Sequence, residues 1–266
     1  MKVRDRSIHR FGNTLRYWRK VRRFSQMELA LAANVSTRHL SFVETGRSQP
    51  GYQLVLRLAD VLELPLRHAN SMLVAAGYAP RYTAWSIEDD QTGMVRAALE
   101  LMMAQHEPYP VVVTTRSYDV IMVNKGTRNL IGWLTDGEEL LSRFSNSYRM
   151  LFARDGLRPY LENFEWLRAI LLKRLQEESI NFQSEALSRL YEACAADAAD
   201  LDEPNHNMGD QQLPVVTLGL RKENTALNFF STVTTFGTAI DVTTQELRIE
   251  CLFPAEATTE AFMRRL

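Results

Sequence analysis

Apolar residues recur at helical spacing from the start of the chain. Phe11, Leu15, Trp18 and Val21 or Arg22 are interleaved with Arg16, Arg19, Lys20 and Arg23, which predicts an amphipathic first helix. Ser25 with Glu28 three residues on reads as a capping box that opens a second helix through Met27, Leu29, Ala30 and Ala32. Asn34 is a turn residue tolerant of positive φ. Ser36 N-caps a third helix from Thr37 to about Thr45, with Leu40 and Val43 as its inward stripe and Gly46 at its end. Pro50 opens a fourth helix carrying Val55, Leu58, Ala59 and Leu62, and Pro65 a fifth through Leu73; Gly77-Tyr78-Ala79-Pro80 then breaks the pattern. These elements predict an all-α, five-helix domain over residues 1–80.

Beyond it, residues 85–105 read as helix, with Val95, Leu99 and Met102 on one stripe. The period then changes to two. Pro110 to Thr115 and Val120 to Asn124 are β-branched runs separated by Arg116-Ser117-Tyr118-Asp119, a hairpin signal, with a helix over 125–134 to follow. A helical block spans 146–199, interrupted near Asp155-Gly156 and Asn181. Three further strands are predicted over 213–220, 226–235 and 246–253, and a helix over 256–266 closes the chain. Residues 81–266 are therefore α+β, with a five-stranded antiparallel sheet and helices inserted between its second and third strands.

A length of 266 residues suits two domains, and 45% hydrophobic with 24% charged residues is ordinary for a folded chain. Cys194 and Cys251 stand alone, without the CxxC spacing of a zinc knuckle or the number needed for a disulfide framework. No run meets the ~20-residue apolar length of a membrane span. No apolar segment of a signal peptide follows the basic start. A cytoplasmic protein without a membrane is expected.

Charge is informative by halves. Residues 1–80 carry 13 Lys and Arg against 5 Asp and Glu, whereas the rest carries 18 against 27. A basic module joined to an acidic one points to a polyanion partner for the first, because Lys and Arg that neutralise phosphates release condensed counterions. Two short capped helices joined by a tight turn supply the geometry that presents a recognition helix to the major groove of double-stranded DNA. On a wheel centred on Leu40, the residues pointing away from the core are Arg38, Ser41, Phe42 and Thr45, with Thr37 at the exposed end and Ser36 and His39 beside it. Arg38 is suited to guanine, Thr37 and Ser41 to bases or phosphates, and Phe42 to a thymine methyl. Gln26 sits where a helix N-terminus clamps phosphate.

Ser25-Gln26, Glu28-Leu29-Ala30, Val35-Ser36 and Glu44-Thr45-Gly46-Arg47-Ser48-Gln49-Pro50 resemble the helix-turn-helix domain of the xenobiotic-response-element, lambda-repressor-like family. The resemblance implies that Gln26, Arg47 and Gln49 hold the DNA backbone and that Arg19 pairs with Glu44. More narrowly, 39–47, 75–80, His106-Glu107-Pro108-Tyr109-Pro110, Gly156-Leu157-Arg158-Pro159 and 236–254 resemble the MmyB-like transcription regulators. That implies a PAS-like ligand-binding domain after the DNA-binding one, in a family associated with control of antibiotic metabolism. Two-fold operators would imply a homodimer on DNA. Phe152-Ala153-Arg154-Asp155-Gly156 departs from the family pattern, which has His-Pro before the acidic residue and Gly.

For the sensing site, Met122, Phe152, Phe164, Trp166, Phe230 and Phe236 are the expected lining. Arg154 is the expected partner of an acidic head, with Arg116 and Arg158 as alternatives. The expected ligand is small and largely apolar, fatty-acid-like or antibiotic-like. The competing reading is a constitutive DNA binder whose second domain only dimerises or recruits a partner. With no HExxH, GxSxG, P-loop or GxGxxG and five scattered histidines, no enzyme, metal or cofactor is expected.

Overall fold

The structure, a computed structural model, describes residues 2–137, 139–200, 215–237 and 239–266. It divides into two compact units. One comprises 1–89 with the short segment Gly237–Gln245, and the other 90–236 with 246–266.

The first unit is all helical: α1 (Lys2–Val21), α2 (Gln26–Ala32), α3 (Thr37–Glu44), α4 (Tyr52–Val61) and α5 (Leu66–Ala75). The caps fall where the sequence puts them. The hydroxyl of Ser25 accepts from the Glu28 N–H while the Glu28 carboxylate accepts from the Ser25 N–H, and the Ser36 hydroxyl accepts from the His39 N–H at 3.1 Å. Asn34 takes φ 52° and Gly46 φ 73°, the left-handed conformations that reverse the chain after α2 and α3. Phe11, Leu15 and Trp18 of α1 meet Leu29, Leu40, Val43, Leu58, Leu62 and Met72 in one buried core. Gly12 is what lets α1 approach α3, since a Cβ there would lie 2.4 Å from the Glu44 carbonyl oxygen. A short helix of the added segment, α12 (Val242–Glu246), closes this unit. Its Gln245 carboxamide oxygen accepts from the Leu66 N–H at 2.8 Å, and the Val242 N–H donates to Thr83 O at 2.9 Å. Pro65, at the N-cap of α5, has no side-chain acceptor to offer, so Gln245 fills that role from a distance in sequence.

The second unit begins with a 3-10 turn (Asp90–Thr92) running into α6 (Gly93–His106). Helix starts here rather than at Trp85 because the Asp89 carboxylate accepts from the Ser86 N–H at 2.7 Å, folding 86–89 into a turn. A five-stranded antiparallel sheet follows, in the order β2-β1-β5-β4-β3. Its strands are β1 (Val111–Thr114), β2 (Val120–Val123), β3 (Thr217–Lys222), β4 (Thr225–Thr234) and β5 (Arg248–Pro254). Between β2 and β3 run α7 (Lys125–Thr135), α8 (Glu139–Arg143), α9 (Ser147–Phe152), a 3-10 turn (Arg158–Tyr160), α10 (Phe164–Asn181) and α11 (Glu185–Asp197), and α13 (Ala257–Met263) follows β5. The five short strands and the helical insertion match the reading of the pattern. Helices α8 and α12, five residues each, are too short for periodicity to reveal. Residues 213–214, which open the third predicted strand, lie outside the described residues.

Candidate functional site

The α2-turn-α3 pair presents the first candidate surface. Thr37, Arg38, Thr45, Arg47 and Gln49 are exposed, and His39, Ser41 and Phe42 are half-buried beside them. The guanidinium of Arg38 lies 5.4 Å from the centre of the Phe42 ring and that of Arg47 6.0 Å from it, so the ring gathers two cations on the outer face of α3. Thr45 turns its hydroxyl inward to the Ser41 and Phe42 carbonyls.

Behind this face lies a buried charge. Glu44 is 2% exposed, and its carboxylate accepts from Arg19 Nε at 2.6 Å and Nη2 at 3.1 Å and from Gln26 Nε2 at 2.7 Å, while Arg16 stands 3.7 Å away. Burial alone would raise its pKa, but the hydrogen bonds from Arg19 and Gln26 and the arginine charges outweigh it and hold the carboxyl below its ordinary value. The Arg19–Glu44 pair is as expected. Gln26 and Gln49, expected on the DNA backbone, have their amides engaged inside the unit, Gln26 on Glu44 and Gln49 on the Ala76 carbonyl at 3.0 Å. The geometry of Glu44, which offers an acceptor just where α2 starts, captures Gln26.

The second candidate is a cavity of about 180 Å³ between the inner face of the sheet and the inserted helices. Alternate residues of four of the five strands reach it: Val112 and Thr114 of β1, Leu218 and Leu220 of β3, Ser231 and Val233 of β4, and Arg248, Glu250 and Leu252 of β5. Leu130, Ile131 and Leu134 of α7 and Leu167, Ile170 and Leu171 of α10 supply the opposite wall. The volume is a little above that of a dry cavity that admits benzene.

One part of the wall is polar. Arg248 donates to both carboxylate oxygens of Glu178, at 3.2 and 2.9 Å, and to the Tyr118 hydroxyl at 2.5 Å. Arg174 Nε donates to Glu178 at 3.2 Å, and the Tyr118 hydroxyl donates to it at 3.0 Å. The Tyr118 and Tyr148 rings lie 4.0 Å apart. The Tyr148 hydroxyl is buried and feels that of Tyr118, but no hydrogen-bond geometry forms between them, which leaves it unpartnered. Burial pushes both phenols above their usual pKa, Tyr148 well above. Glu250 is half-buried and lines the cavity. Withdrawal from bulk water raises its pKa, against a hydrogen bond with Ser231 and the charges of Arg174 and Arg248.

None of the seven residues expected to bind ligand lines this cavity, and the reasons are geometric. Phe152 and Phe164 are buried one layer behind, Phe152 parallel to Tyr148 and edge-on to Phe164 at 5.5 Å. Met122 pairs with Val113 and Phe230 with Phe253, and directly paired residues share a face of the sheet, here the one turned away from the cavity. Phe230 stacks there on Phe253 at 5.3 Å. Trp166 lies beside the inward stripe of α10, and Phe236 follows β4 outside the wall. Arg154 and Arg158 are both engaged by Asp200 at 2.8 Å, and Arg116 lies 4.2 Å from the Phe182 ring centre. The arginines that do face the cavity, Arg174 and Arg248, were missed, along with Tyr118, Tyr148 and Glu250. A signal existed in β5, where Arg248-x-Glu250-x-Leu252 sets two charges on the same face as a core leucine.

His106 places Nε2 2.8 Å from the Leu252 carbonyl oxygen and packs on Phe253. Among the described residues no group of three or more His, Cys, Asp or Glu is arranged to hold a metal ion, and no helix is long and apolar enough to cross a membrane.

Residues 95–266 match the family model described as MmyB-like transcription regulator ligand binding domain, and residues 10–70 match a helix-turn-helix domain model. No curated protein matches the chain. Among solved structures, one titled "Structure of an RNA-binding Light-Oxygen-Voltage Receptor" matches at 14% identity, over 98% of this chain and 62% of that one, with a TM-score of 0.26. So low a score carries no argument.

Proposed function

The chain belongs to the MmyB-like transcription regulators, a helix-turn-helix domain joined to a ligand-binding domain, and from that premise we propose a cytoplasmic, non-enzymatic regulator of specific operators that senses a fatty-acid-like or antibiotic-like molecule. In this reading α3 enters the major groove with Thr37, Arg38, Ser41 and Phe42 toward base edges, and Ser36, His39 and Arg47 toward the backbone. Gln26 and Gln49 act by bracing the unit, with any phosphate contact left to their remaining polar atoms. Two copies on a two-fold operator set their recognition helices about one turn, ~34 Å, apart. The ligand shifts operator affinity by binding the two states of the protein unequally.

The observation that carries the sensing reading is the cavity itself: leucine-lined, with one polar wall that ends in an unpartnered phenol. A domain used only for dimerisation needs neither. Native mass spectrometry of the full chain before and after organic extraction tests it. A small-molecule adduct at one per chain, lost on extraction, supports the reading. Operator affinity and mass that stay unchanged across fatty acids, alcohols and lactones would favour the constitutive binder instead. For the DNA surface, Arg38→Ala should lose about 1 to 3 kcal/mol of site preference while non-specific binding persists. Equal losses on every sequence would refute base reading.

A further inference from the structure

Among the described residues four charged groups meet at the polar wall, and their count matters. Arg174 and Glu178 come from α10, Arg248 and Glu250 from β5. Tyr118 from the β1–β2 turn and Tyr148 from α9 complete the titratable groups there, because the β1 and β4 contributions, Thr114, Ser231 and Val233, carry no charge. Glu178 is fully engaged, since its two oxygens take Arg248, Arg174 and the Tyr118 hydroxyl. It cancels one arginine. The other arginine is cancelled only if Glu250 is ionised. On the sheet Glu250 is flanked by Val112 and Val233, its register partners in β1 and β4, so no neighbouring strand supplies a countercharge.

We propose that Glu250 is the residue that sets which charge class of ligand the cavity accepts, an acid binding only together with a proton held on Glu250. Resting on the sensing reading above, this deepens it. With Glu250 ionised the wall is neutral and suits an alcohol, ester or lactone, and an incoming carboxylate would bring an unmatched charge into a cavity walled mainly by apolar side chains. With Glu250 protonated the wall carries one net positive charge, which the ligand carboxylate neutralises. The Glu250 O–H and the Tyr148 O–H then both donate to it. The proton comes from solvent and no covalent bond changes. Burial, which already raises the pKa of this carboxyl, makes the uptake easier. Linkage is reciprocal: an acid that binds with a proton binds more weakly as pH rises past the pKa of Glu250 in the free protein.

The test is isothermal titration of the full chain with octanoate and with 1-octanol from pH 6 to 8.5, in buffers of different ionisation enthalpy. An aliphatic carboxylate, like that of Glu, is ionised throughout that range. For wild type, octanoate binding should take up a number of protons rising toward one with pH, and its affinity should fall by up to about tenfold per pH unit at the alkaline end. Octanol should bind with no uptake and no slope. In Glu250→Gln the amide still donates to a carboxylate but cannot lose its proton. Octanoate affinity should become pH-independent while octanol affinity, which reports an intact cavity, is kept. Octanoate binding by wild type with no proton uptake and flat affinity to pH 8.5 would overturn the proposal and leave the sensor standing, as would a pH slope that survives in Glu250→Gln. Wild type that binds neither probe would overturn the sensing reading beneath it.

Discussion

Replacing Arg19 by Met keeps the aliphatic stem that packs along α1 and removes the fork that holds Glu44. What remains is a carboxylate with no exposed side-chain surface, facing Gln26 at 2.7 Å and Arg16 at 3.7 Å. Removing one partner of a buried ion pair costs about 3 to 5 kcal/mol, because the survivor stays desolvated without its countercharge. Glu44 ends α3 and touches α1 and α2, so the cost should appear as local opening of these three helices. Hydrogen exchange on the full chain, read by mass spectrometry, should show α2 and α3 amides exchanging roughly 10² to 4 × 10³ times faster, at about 1.4 kcal/mol per factor of ten. The pH dependence gives a second check. In the wild type Glu44 has a lowered pKa, so its contribution is present above the ordinary carboxylate value and is lost as pH falls through the folded one. In Arg19→Met burial dominates and raises that pKa, so the variant should recover stability on acidification as Glu44 takes up its proton. A change in exchange of less than about tenfold at pH 7, or a gap between the proteins that widens toward pH 4, would refute the account.

Two further outcomes follow from the second unit. Gly126→Ala would set a Cβ 2.2 Å from the Pro108 carbonyl oxygen, so the variant should melt well below wild type, with overpacking costing ~1 to 3 kcal/mol or more. An unchanged melting temperature would show that the backbone there can give. Leu218→Trp puts an indole into the cavity from β3 and should abolish octanol and octanoate binding while operator binding without ligand persists. Retained binding of either probe would place the ligand elsewhere.

The DNA-binding unit is legible because its determinants are local. Ser25, Glu28, Ser36, Asn34 and Gly46 each act within a few residues, and the apolar stripes between them follow one period. The sheet is legible for the same reason, down to the β1–β2 hairpin. The cavity is not. A large aromatic side chain reads equally well as lining or core, and the choice depends on register. Phe229 and Phe230 are neighbours on one strand, yet Phe229 faces the inserted helices and Phe230 stacks on Phe253 behind the sheet. Register also explains why leucines, which fill space without closing it, line the wall, and why its charges come from α10 and β5, far apart in sequence. Gln26 shows the converse limit. Its position at a helix N-terminus is right for phosphate, but Glu44, 18 residues on, is a nearer acceptor.

No local pattern signals that Gly237–Gln245 packs with the first unit. Its consequence lies in chain continuity. β4 carries Ser231 and Val233 into the cavity wall, β5 carries Arg248 and Glu250, and the connection between these strands supplies the acceptor for the first amide of α5. A ligand that fixes the two strands therefore also fixes the ends of the segment that holds Gln245. Gln245→Ala removes that acceptor and should speed exchange of the Leu66 amide by roughly 2- to 30-fold, the range of ~0.5 to 2 kcal/mol for a lost helix cap. In wild type, octanol should slow exchange at the start of α5, and in Gln245→Ala it should not, although the probe still binds. Equal slowing in both proteins would mean that the cavity reaches α5 by another route, and no slowing in wild type would sever the two altogether.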